Sequence, residues 1–275
     1  MFLDRIVKTK QEEVRQLQSV FDRKEAEEII AKLPPCTSFK AALTSEKHRE
    51  VGLIAEVKKA SPSKGLIRAD FDPISIAQCY EQAGADALSV LTDVQYFQGG
   101  VDIFKQVRQA VNLPLLRKEF IISEEQIIEA RLIGADAVLL IAAILTDREL
   151  QQFIHLASST GMEVLIEVHD DEELDRVQQL DGVELLGINN RNLKTFETDI
   201  EQTYRLLSNI TRKVVTVSES GIHLPSHMTR LAEEGVDAVL IGEHFMRQPN
   251  VTEGVLDLMG GLKVNEATTI ATSDK

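Results

Sequence analysis

A chain of 275 residues can bury a sizeable core, as one large domain or two small ones, and 43% apolar with 27% charged residues reads as soluble and globular. Thirty basic against 44 acidic residues leave a net charge of −14, which disfavours nucleic acid and anionic membranes as partners. The longest apolar run, 137–145, is too short to cross a bilayer, and the first residues lack a signal peptide's apolar centre, so a cytoplasmic location is expected.

Residues 1–45 open the chain with helical patterns. Leu3, Ile6, Val14 and Leu17 mark one face of a first helix, 24–32 suggests a second, Pro34-Pro35 breaks it, and Thr37 or Ser38 can cap a third. This stretch reads as an extension packed on one end of the following domain, 46–262. There, strands are expected over 52–58, 87–91, 115–118, 137–141, 163–168, 185–189, 214–219 and 238–242. Helical patterns between them begin near Pro73, Val101, Ser123, Asp147, Asp170, Asp199, Pro225 and Asn250. Gly84-Ala-Asp-Ala87, Gly134-Ala-Asp-Ala137 and Gly235-Val-Asp-Ala238 repeat a helix-ending glycine before a strand, and Gly182-Val-Glu-Leu185 is a degenerate copy. Eight strand-plus-helix units with Val/Ile/Leu-rich strands predict an α/β fold, a (βα)₈ TIM barrel; a doubly wound open sheet is the runner-up. Residues 263–275 are small and polar and are expected to fray. Cys36 and Cys79 match no metal or disulfide spacing and are expected to be reduced.

In such a barrel, chemistry collects where strands end and βα loops begin. The first strand ends in Glu56 and Lys58, two apart and therefore on one face. Ser61-Pro62-Ser63-Lys64-Gly65 follows, with hydroxyls, backbone N–H groups and a cation suited to an anion. Lys118 ends the third strand, Glu167 the fifth, Asn189 and Arg191 the sixth and Glu219 the seventh. A lone barrel ion pair explains one such residue but not charged groups at five of eight strand ends. The last two loops carry Ser220-Gly221 and Gly242-Glu243, a place where many barrels bind phosphate through backbone N–H groups. Glu243 would repel an anion if it turned inward, so it is expected to point outward. His223 and His227 have the spacing of a helical zinc pair, but no third ligand is placed beside them, and they read as a solvated face.

The segments 54–65, 91–99, 116–120, 187–193 and 218–222 together resemble the signatures of the indole-3-glycerol-phosphate synthases, and the resemblance runs from about residue 2 to residue 260. It implies a (βα)₈ enzyme that closes an indole ring. The substrate would be 1-(2-carboxyphenylamino)-1-deoxyribulose 5-phosphate, the products indole-3-glycerol phosphate, carbon dioxide and water. By position, Glu56, Lys58, Lys118, Glu167, Asn189, Arg191, Glu219 and Ser220 fall on the family's active-site residues. Ser61, Gly221 and Gly242 fall on substrate- or phosphate-binding positions, with Glu243 beside them. Phe97, Phe120 and Leu193 would line the slot for the anthranilate ring, though as bare sequence they could equally be core. Glu119 stands where an aspartate is common, Gly99-Gly100 replaces a common Gly-Ser, and Glu243 a serine. Ring closure needs an acid on the substrate ketone. Lys118 is the first choice and Lys58 the second, each ammonium being expected to lower the other's pKa. No metal, flavin or nicotinamide is required, and a monomer with a small phosphosugar substrate is expected. Another phosphosugar barrel, such as phosphoribosylanthranilate isomerase, would favour a thiol or carboxylate base on the first strand and no lysine pair. A silent phosphosugar-binding barrel would have lost the acids and bases.

Overall fold

The expected apolar runs are strands in the computed structural model, which describes residues 2–192 and 195–265. Strand β1 is Gly52–Val57, followed by a short hairpin of β2 (Ala60–Ser61) and β3 (Gly65–Leu66). Then come β4 (Ala87–Leu91), β5 (Leu115–Lys118), β6 (Ala137–Ile141), β7 (Glu163–Val168), β8 (Leu185–Asn189), β9 (Val215–Glu219) and β10 (Ala238–Ile241). Outside the hairpin these strands are parallel, each pairs with the next in sequence, and β10 returns to β1 to close a barrel. The open-sheet alternative is thereby excluded. Strand residues are buried on both faces, which is why their sequences run apolar without alternation.

Strands β4, β6, β7, β8 and β10 are each fed by a glycine in the left-handed region, as at Gly84 (φ 77°) and Gly134 (φ 91°), where a side chain would be strained. The aspartate two residues later has a second task. Asp86 accepts from the Leu53 N–H at 2.7 Å, Asp136 from Leu115 at 2.9 Å and Asp237 from Thr216 at 2.8 Å. A repeated Gly-x-Asp thus ends one helix and ties the start of the preceding strand.

The N-terminal extension differs from expectation: it serves both ends of the barrel. Helices α1 (Phe2–Val20) and α2 (Arg23–Ile30) precede α3 (Phe39–Leu43). From α3, Phe39 and Leu43, both fully buried, join the barrel-interior cluster of Ile54, Ala87, Leu116 and Ala238 and stop the lower end. Burying each contributes about 1.5–3 kcal/mol. At the opposite end, α1 brings Phe2, Leu3 and Ile6 to the rim of a cavity. Nineteen residues of helix span nearly 30 Å, long enough to join the two levels. The stretch from residue 263 is held as far as Asn265, since Glu50 N–H donates to Lys263 O and Asn265 N–H to His48 O. Residues 266–275 lie outside the described residues.

Candidate active site

Barrel register brings the charged strand ends to one level. Glu167 on β7 pairs with Ile141 and Gly187, and Glu219 on β9 with Asn189 and Leu240. Lys118 on β5 pairs with Leu91. A cavity of about 500 Å³ opens above them, within the usual range for a small-molecule site. Glu56, Lys58, Ser61, Lys118, Glu167 and Asn189 border it, as do Arg191, Glu219, Ser220, Gly221, Gly242 and Glu243. Phe97 and Phe120 line its apolar side, their ring centroids 6.1 Å apart. Leu193 lies outside the described residues.

Lys118 is the centre of the charge network. Its ammonium donates to Glu219 Oε2 and lies 3.4 Å from Glu167 Oε2. Burial would lower its pKa, but Glu219, Glu167 and Glu56 overturn this and hold it above the ordinary lysine value. The expected depression of Lys118 by a second ammonium is therefore not found. Lys58 is neutralised separately by Glu56. The two carboxylates beside Lys118 are pushed apart. Burial, with the charges of Glu167 and Glu56, outweighs the pull of Lys118 and takes Glu219 up to about 7. For Glu167 burial is outweighed by Lys118, by His169 and by a hydrogen bond from Asn189, and it is held well below the carboxylate range. One acid that is readily protonated and one that stays ionised flank the same ammonium.

Two glycines make room for this network. A Cβ on Gly187 would strike Glu219 Oε1, and one on Gly242 would strike Glu56. Ser220 (φ 69°) and Gly221 (φ 77°) form consecutive left-handed residues, held by Asn190, whose amide donates to Ser220 O at 3.0 Å. A non-glycine residue in this region is a strained feature that the surroundings must hold in place, and it turns the loop over the cavity.

Glu243 does not point outward. It borders the cavity and lies 3.5 Å from Arg191, 3.1 Å from Arg247 and 4.0 Å from Lys64. Arg191 and Lys64 from two other loops, with Arg247 one turn further along its own helix, draw the carboxylate in. His223 and His227 stack edge to face at 4.9 Å, His223 borders the cavity and is exposed, and no metal-holding group of three occurs among the described residues.

Sequence reasoning missed several neighbours of the site. Phe2, Leu3, Ile6 and Phe196 line the cavity although they come from α1 and a distant loop. Lys10, 1% exposed, reaches from α1 to Asp93 at 2.6 Å and Glu119 at 3.1 Å. That contact gives Glu119 its place: it pairs with Lys10 at the edge of the cavity. His169, two residues after Glu167, was legible by the alternation that paired Glu56 with Lys58.

Comparison with known proteins agrees with this geometry. The family model described as indole-3-glycerol phosphate synthase matches residues 3–258. An indole-3-glycerol phosphate synthase of Rippkaea orientalis is 49% identical over 263 residues, covering 94% of this chain and 89% of the relative. One of Desulfotalea psychrophila is 48% identical over 261 residues, covering 93% and 97%. Among solved structures, a tryptophan synthase alpha-subunit from Pyrococcus furiosus superposes with a TM-score of 0.58 at 14% identity, over 78% of this chain and 99% of that one, a likeness of fold alone. With a match across nearly the whole chain, and relatives near half identity over nine-tenths of it, this barrel belongs to the indole-3-glycerol phosphate synthase family.

Proposed function

We propose that the chain closes the indole ring of indole-3-glycerol phosphate from 1-(2-carboxyphenylamino)-1-deoxyribulose 5-phosphate, releasing carbon dioxide and water. The observation that carries this reading is the meeting of Lys118 with Glu167 and Glu219 in a cavity that has an apolar side and a cationic mouth. The anthranilate ring would lie against the Phe97 and Phe120 rings, beneath α1. The phosphate would sit by Gly221 and Gly242, with Ser61 beside it.

At neutral pH Lys118 is protonated and aimed into the cavity, so it can donate to the ketone oxygen as the carboxylate-bearing ring carbon attacks the ketone carbon. The carbon–carbon bond forms, and the electrons of the bond to the carboxylate return to the ring as carbon dioxide leaves. Water is then lost: the new hydroxyl needs a proton, and the five-membered ring must give one up. Glu167, ionised and held by Asn189, takes the ring proton and passes it to the departing hydroxyl, while Glu219 accepts from Lys118 and aims it, Lys118 regaining its proton from solvent. Lys58, fixed by Glu56, is placed for the substrate carboxylate. Arg191, with Ser63 at 3.3 Å, is placed for the phosphate, which would take over the cations now held by Glu243. The substrate is a small phosphosugar and the working unit a cytoplasmic monomer; no described helix is long and apolar enough to cross a membrane.

The test is direct. Purified chain mixed with the anilino-deoxyribulose phosphate, without added metal or cofactor, should yield a product with indole fluorescence, read against a protein without tryptophan. Unchanged substrate across several pH values would refute the proposal. Isomerisation of phosphoribosylanthranilate instead would favour the second barrel reading.

A further inference from the structure

His169 follows β7 directly, two residues beyond Glu167 and behind it relative to the cavity. Its Nε2 lies 3.1 Å from Glu167 Oε1, and its Nδ1 lies 3.1 Å from Glu173 Oε2. The side chain is only 9% exposed. The start of the helix that follows, Asp171–Gln178, fixes this arrangement. Asp170 caps the helix by accepting from the Glu173 N–H at 2.9 Å, and Glu173 folds back to accept from the His169 N–H at 2.8 Å. Each ring nitrogen thus faces a carboxylate, and both contacts are attractive only when both nitrogens carry a proton, that is, when the ring is a cation.

Glu167 is thus gripped at both oxygens, Oε2 by Lys118 from the cavity side and Oε1 by His169 from behind. The two cations are not equivalent. Once Lys118 has given its proton to the ketone oxygen it is neutral, and Glu167 would be a buried carboxylate with no cation, a costly state. His169 takes no part in that transfer and keeps its charge.

We propose that His169 is a positioning residue for ring closure: its imidazolium, braced by Glu173, holds the Glu167 carboxylate in place while Lys118 is discharged. The inference rests on the function proposed above. The charged groups facing His169 are Glu167 on its own strand and Glu173 on the helix that follows, with Lys118 beyond Glu167. Burial would lower the pKa of the ring, but these two glutamates raise it to about 10, so the ring is a cation throughout the neutral range and discharges as pH rises through that value.

Two variants test this. Expected for His169→Asn is a kcat lower by roughly 10- to 100-fold, with KM within about threefold, part of what a well-placed base supplies. Glu173→Gln keeps an acceptor for the backbone N–H but removes the charge bracing the ring. The wild-type kcat should fall near pH 10; this alkaline fall should move toward neutral pH in Glu173→Gln and be absent from His169→Asn. A titration of labelled histidine rings by NMR, with the His169 signal assigned as the one lost in His169→Asn, should show the same downward shift in Glu173→Gln without any turnover. A wild-type chain that closes no ring would overturn both the function and this role. An active wild type whose variants keep its kcat, or show the same alkaline fall and the same His169 titration, would overturn the role alone.

Discussion

Lys10→Met should loosen the roof of the cavity, and the structure sets the size of the effect. Lys10 is buried with Asp93 at 0% exposure and Glu119 at 5%. Asp93 Oδ1 accepts from the N–H groups of Tyr96 and Phe97, and Glu119 accepts from Thr92 Oγ1 and from the Phe120 N–H. Asp93 Oδ2, however, has no aligned hydrogen bond beyond its 2.6 Å ion contact with Lys10. Methionine fills the space but strands both carboxylates, and removing one partner from a buried ion cluster costs about 3–5 kcal/mol. The retained hydrogen bonds argue for the lower end, about 3 kcal/mol. The loss should be local, because α1 can lift as a unit and take Phe2, Leu3 and Ile6 off the cavity wall. Urea unfolding followed by circular dichroism should show the destabilisation, with KM for the anilino substrate raised. Lys10→Met combined with Glu119→Gln removes one stranded charge and should recover at least about 1 kcal/mol. A loss below about 1 kcal/mol, or a double variant no better than the single, would refute the anchoring argument.

Lys118→Met should cut turnover at least about 100-fold while product-analogue affinity by calorimetry changes little; undiminished turnover would move the acid to Lys58. The pH profile of kcat/KM should fall below about pH 7 as Glu219, raised by burial, takes up a proton and loosens its hold on Lys118. Glu219→Gln should abolish this acidic fall, and an unchanged fall would assign it to another group. Gly187→Ala would place a methyl on Glu219 and should lower kcat about tenfold or more, with a cost of about 1–3 kcal/mol in thermal unfolding. Wild-type turnover in that variant would show that the cavity floor yields freely.

Much of the site was legible because a strand's two-residue period is local. It puts Glu56 with Lys58 and Asn189 with Arg191 on the inner face whatever the rest of the chain does, and His169 beside Glu167 by the same rule. Helix-ending glycines announced four of the strands, at Gly84, Gly134, Gly182 and Gly235, for an equally local reason. The α1 residues at the rim were not legible, since a helical stripe of Leu3, Ile6 and Val14 looks the same over any apolar surface.

The amino-acid order alone determined the eight strand-and-helix units and the side chains standing at their ends, since propensity, periodicity and turn chemistry act over a few residues. Tertiary structure alone decided which charges meet. Lys118 and Glu219 are 101 residues apart, and their contact exists because the barrel closes with β5 and β9 at matching height. The same closure raised Glu219, lowered Glu167, drew Glu243 inward and put α3 under the barrel and α1 over it. Burial and distance set those outcomes, and both are properties of the folded chain.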